Sequence, residues 1–75
     1  MKITYDSEVD AAYLYINESI EDGEVTKTEC CFEDSNSSIV INADFNAKGM
    51  LLGFEILGAS ECLHEDVLAH AHHLD

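Results

Sequence analysis

"DFNAKGMLLGFE", residues 44 to 55, decides the fold. Laid over the calcium loop of an EF-hand, it places Asp44 at the first ligand position, Asn46 at the third, Gly49 at the sharp turn and Glu55 at the bidentate twelfth. Such a loop needs a helix on each side. Here "SIVINADF" (38–45) precedes it, with Ile39, Ile41, Ala43 and Phe45 on one face. "MLLGFEIL" (50–57) follows, with Leu52, Phe54 and Ile56 on one face and Leu51, Gly53, Glu55 and Leu57 on the other. Both alternate at the period of a strand. Lys48 puts a cation at the fifth ligand position, and along an extended strand Glu55 runs away from Asp44. The stretch reads as a β-hairpin, with Asp44 and Asn46 making side-chain turns and Gly49 supplying a positive φ.

Working outward, "KITY" (2–5) alternates with Ile3 and Tyr5 on one face. "AAYLYIN" (11–17) sets Ala12, Leu14 and Ile16 against Tyr13 and Tyr15. Aromatic and β-branched content favours strands in both. In the connection between them, Asp6 and Asp10 are placed to bond neighbouring amides. "EVTKTECCF" (24–32) reads as a third strand with mixed faces, an edge guarded by Lys27. After "GAS" (58–60) the period lengthens: Leu63, Val67, Ala71 and Leu74 recur at helical spacing, with Ser60 as a possible N-cap and acids in the first turn. The expected fold is α+β: an antiparallel meander of about five strands (2–5, 11–17, 24–32, 38–45, 50–57) and one helix over 61–73 on one face. Residues 1–75 read as a single domain.

Charge bounds the partners. Sixteen acidic residues face only Lys2, Lys27 and Lys48, for a net charge of −13. Nucleic acids and anionic membranes both require a supply of cations that this chain lacks. A basic protein, a cation, or plain solubility in a salt-adapted host remain. "MKITYDSEVD" has no apolar run of a signal peptide, so the expected location is cytoplasmic. Cys30, Cys31 and Cys62 make no disulfide framework and read as buried, inert thiols in a reducing compartment. Strands 11–17 and 50–57 are apolar on both faces, whereas one helix covers one face. A second copy is therefore expected against Tyr13, Tyr15, Leu51 and Leu57, most simply as a two-fold dimer.

Candidate chemistry is sparse. Cys62, Asp66, His70 and His73 fall on one side of the expected helix, a donor set suited to zinc or nickel. Four ligands along a straight helix cannot converge on one ion, so the candidates narrow to Asp66 with His70, or His70 with His73. No G-x-S-x-G and no glycine-rich phosphate loop occurs, and the serines lack a nucleophile's context. The chain gives no sign of an enzyme or of a bound cofactor.

Two stretches carry a resemblance. "MKITYDSEVDAAYLYI" and "GMLLGFEILGAS" resemble the opening K-I-x-Y-D-x-x-x-D-A-x-Y-I and closing G-x-[IV]-[VI]-G-[IFL]-E-I-L-x-A-S of domain-of-unknown-function family 2283, a small prokaryotic family. The match falls on Lys2, Ile3, Tyr5, Asp6, Asp10, Ala11 or Ala12, Tyr13, Gly49, Gly53, Glu55, Ile56, Leu57, Ala59 and Ser60. It departs at the second strand and in the His-rich tail. The resemblance implies an antiparallel sheet packed on a helix, with no catalytic residues to carry over. The first hairpin is also similar to that of HicB-type antitoxins, which implies, by analogy, masking of a basic partner. The function expected from the sequence is thus a small acidic, non-enzymatic protein–protein interaction module. The alternative is a metal-binding protein using the tail.

Overall fold

The computed structural model describes residues 1–74. The strands are β1 (Lys2–Asp6), β2 (Ala11–Tyr15), β3 (Lys27–Glu33), β4 (Val40–Phe45) and β5 (Leu51–Leu57). Two short helices follow, α1 (Ala59–Cys62) and α2 (Glu65–His70), and then β6 (His72–His73). Among the described residues one sheet forms, in the order β3-β4-β5-β2-β1-β6.

The 44–55 stretch is a hairpin. The Asn46 amide donates to the Met50 carbonyl at 3.0 Å, and the Gly49 amide to that of Asn46 at 2.9 Å. The Asn46 side chain accepts from the amides of Lys48 and Met50, both at 2.9 Å, and Gly49 takes φ 77°. Asp44 makes no turn; it lies within β4, opposite Gly53.

The meander is corrected. β1 pairs with β2 and β3-β4-β5 run in sequence, but β2 then pairs with β5, Ala12 opposite Ile56 and Leu14 opposite Phe54. This puts β5 at the centre, where Leu52, Gly53 and Ile56 are buried. A strand apolar on both faces belongs there. The sheet is mixed, because β6 lies parallel to β1 with Thr4 opposite His72. The Leu74 amide adds a 2.9 Å bond to the Tyr5 carbonyl.

The single helix over 61–73 is also corrected. Leu63 (ψ 142°) and His64 (ψ 145°) are extended and split it. His64 then caps α2 by accepting the Asp66 amide at Nδ1, 3.1 Å away. Of the expected helical stripe only Val67 lies in a helix; Leu63 and the buried Ala71 are extended, and Leu74 is exposed.

That core is small. Ala12, Ile56 and Ala59 form its buried centre, with Ile3, Tyr5, Ile41, Cys62 and Leu63 packed around them. α1 therefore covers the face that carries Tyr5, Ala12, Ile41 and Ile56. The cysteine expectation holds only in part: Cys62 is half-buried, whereas Cys30 and Cys31 are exposed. They sit where β3 slips register against β4, between Cys30 and Phe32, at a sheet edge exposed along its whole length.

Candidate functional site

The opposite face of the sheet carries polar chemistry. Register places Tyr13, Tyr15, Asn42, Asp44, Gly53 and Glu55 on it, away from the helices. Gly53 decides how Tyr13 lies. A Cβ there would meet the Tyr13 Cε1 atom at 2.5 Å and the Leu14 carbonyl oxygen at 2.6 Å, so the ring occupies the space a side chain would take. A glycine inside an apolar strand marks such a close approach.

Held over Gly53, the Tyr13 hydroxyl donates to Asp44 Oδ2 at 2.7 Å, and Thr28 Oγ1 donates to Oδ1 at 2.6 Å. The Asn42 side-chain amide donates to Glu55 Oε1 at 3.1 Å. Burial first, and then the bond to Asp44, push the Tyr13 phenol well above its ordinary range. The Tyr15 ring lies 4.7 Å from that of Tyr13, with Lys2 Nζ 4.4 Å from the Tyr15 centroid. Contrary to the expectation from chain extension, the β4–β5 register brings Glu55 diagonally beside Asp44. Each carboxylate accepts from neutral donors there.

The 16–26 connection runs past this face. The Ile16 and Asn17 amides donate to the Leu52 carbonyl, and the Thr26 amide to that of Phe45. A tight turn orders the middle: the Glu24 amide donates to the Glu21 carbonyl, and the Glu21 amide to Glu24 Oε1, both at 3.0 Å. Between loop and sheet opens a groove of about 300 Å³. Tyr13, Tyr15, Ile20 and Val25 line its apolar part, and Glu21, Asp22 and Asp44 its acidic part. Sequence reasoning found Tyr13 and Tyr15 but missed the loop acids, which no periodicity ties to the strands.

The fold separates the metal candidates. Asp66 and His70 share α2 and line a crevice of about 380 Å³ beside Met1, Ile3 and Val67. His70 Nδ1 lies 2.7 Å from the Asp66 carbonyl oxygen, the geometry of a ring N–H donating to it, which leaves Nε2 outward. His73 is carried away on β6, its Nε2 bonded 3.1 Å from the Leu68 carbonyl oxygen. Cys62 turns into the core. No group of three metal-ligating side chains forms among the described residues.

Tyr5, Asp10 and Ser60 meet on the helical side. Asp10 Oδ1 accepts the Tyr5 hydroxyl at 2.7 Å and the Ser60 amide at 2.9 Å, and Oδ2 accepts the Ser60 hydroxyl at 2.8 Å. The Tyr5 bond foremost, with those from Ser60, holds the Asp10 carboxyl below its usual range. The cluster clasps the β1–β2 turn to the start of α1. Both oxygens of the Asp10 carboxylate accept within it.

A family model described as protein of unknown function (DUF2283) matches residues 2–60, and the chain belongs to that family. No curated protein and no solved structure matches it. The match ends at Ser60, so α2 and β6 lie beyond it. Among the described residues no helix is long and apolar enough to cross a membrane.

Proposed function

We propose that this protein is a non-enzymatic interaction module that binds and masks a basic protein partner in the cytoplasm, in the manner of an antitoxin. The observation that carries this is the sheet face away from the helices, where Tyr13 and Tyr15 lie beside Asp44 and Glu55, next to a loop bearing Glu21 and Asp22. Tyrosines supply rigid contact area at low entropic cost, and the acids select the sign of the partner. The same acids bear on the expected dimer. Two copies stacked on this face would oppose their Asp44 and Glu55 carboxylates, whereas a basic partner relieves the repulsion. The fit is to a cationic surface.

Co-purification from the native host, followed by mass spectrometry, tests the proposal. A small basic protein that dissociates as salt rises supports it. Recovery of the chain alone, or with acidic partners held through high salt, rejects it.

A further inference from the structure

The groove beside the 16–26 loop is a distinct feature of that face. Its walls are apolar at Tyr13, Ile20 and Val25, and Glu21, Asp22 and Asp44 stand on both its loop and sheet sides. About 300 Å³ has room for one long side chain. None of the three lysines lines it. An aliphatic stem with a cationic head matches this distribution, because the stem packs on apolar walls while the head meets carboxylates. A planar guanidinium also stacks on an aromatic ring and presents donors in a fork. The Lys2 ammonium over Tyr15 shows the same preference within the chain.

We propose that this groove seats an arginine side chain from the basic partner, its stem against Ile20 and Val25 and its guanidinium between the Tyr13 ring and the loop carboxylates. This assignment rests on the interaction reading above, and the test separates the two. Isotope-labelled protein is titrated by NMR with a short capped glycine–arginine–glycine peptide, with its citrulline and lysine counterparts, and with a longer polybasic peptide. Citrulline keeps the shape of arginine and removes its charge.

The expected result is movement of the Tyr13, Ile20–Val25 and Asp44 resonances with the arginine probe, weaker with lysine and absent with citrulline. Neutralising the rim by Glu21→Gln with Asp22→Asn should weaken binding roughly ten-fold, since each exposed pair contributes little alone. Glu8→Gln with Glu33→Gln removes the same charge elsewhere and should change affinity far less. Equal binding of citrulline or lysine, or a rim variant no weaker than the remote one, overturns the groove assignment. A polybasic peptide that binds but perturbs only other surfaces overturns the groove and leaves the interaction reading standing. No binding of any cationic peptide at low salt overturns both.

Discussion

Ser60 donates twice to Asp10 across fifty residues of chain, from its amide at 2.9 Å and its hydroxyl at 2.8 Å. Asp10 holds φ 51°, a left-handed conformation that costs aspartate less than alanine. With the Tyr5 hydroxyl as third donor, the carboxylate ties both ends of the family match into one clasp. Asp10→Ala should therefore destabilise by about 2–3 kcal/mol, from lost charge-assisted bonds and backbone strain. Asp10→Asn should cost less, since it keeps an acceptor and the left-handed backbone. Urea unfolding checks the ranking, and equal losses for the two would refute it.

The Asp10 clasp also has a pH signature. Its carboxyl is held below the ordinary range, so its contribution is present above the unfolded carboxylate pKa of about 4 and is lost as pH falls through the lower folded value. The stability gap between the wild type and Asp10→Asn should close over that acid window. A gap unchanged to the acid end would mean that the hydrogen bonds do not favour the charged form.

The two glycines of the β4–β5 hairpin should respond oppositely to crowding and strain. Gly49 has φ 77° with nothing near its missing Cβ, so Gly49→Ala should cost about 1 kcal/mol of backbone strain alone. At Gly53 the obstacle includes the Leu14 carbonyl, part of the β2 backbone, so Gly53→Ala must separate β2 from β5 or displace Tyr13. About 2–3 kcal/mol is expected. Calorimetric melting of both variants, with a near-equal cost, would rule out the close packing.

Where the sequence spoke clearly, it did so through local periodicity. The hairpin at 44–55, the first hairpin and the helical turn after Gly58 all follow from residues near one another. Strand order did not follow, because alternation fixes which face Leu14 uses without saying whether β5 or β3 lies beside it. The apolar faces of β2 and β5, for which a second copy was the expected cover, were the usable hint of a central position. β6 spans two histidines and carries no strand signal; it forms because β1 offers an open edge. The Glu21 and Asp22 rim escaped for the same reason as the strand order: tertiary placement of a loop leaves no periodic trace.

Tyr13 makes the mirror-image pH prediction. Its folded pKa is raised, by burial and by the Asp44 bond, so its stabilisation is complete below the ordinary tyrosine pKa of about 10 and is lost as pH climbs beyond it. Tyr13 should resist phenolate formation until the fold itself fails. Alkaline spectrophotometric titration should show this late phase, and Tyr13→Phe should remove it. A late phase that persists in the variant would assign it elsewhere.

Charge repulsion gives the last prediction. Sixteen acids meet three lysines, and the ion pairs among the described residues are few. The terminal amine reaches Glu18 at 4.0 Å, Lys27 reaches Glu29 at 3.5 Å, and His64 lies 3.7 Å from Asp66. All are exposed and contribute little. The remaining carboxylates repel one another within a body whose Cα radius of gyration is 12.3 Å, comparable to the screening length of ~8–10 Å in physiological salt. Folding draws them together, so moderate sodium chloride should stabilise the isolated protein, the reverse of its effect on a salt-bridged one. Lowering the pH to the isoelectric point near 4.2 should abolish the salt response, because the net charge that drives the repulsion vanishes there. A basic partner relieves the same field, so association should be fast at low salt and slow steeply as salt is added. Melting temperatures across a sodium chloride series, at neutral pH and at the isoelectric point near 4.2, decide the first half. Stability that is flat or falls with salt at neutral pH would remove the physical motive for a cationic partner.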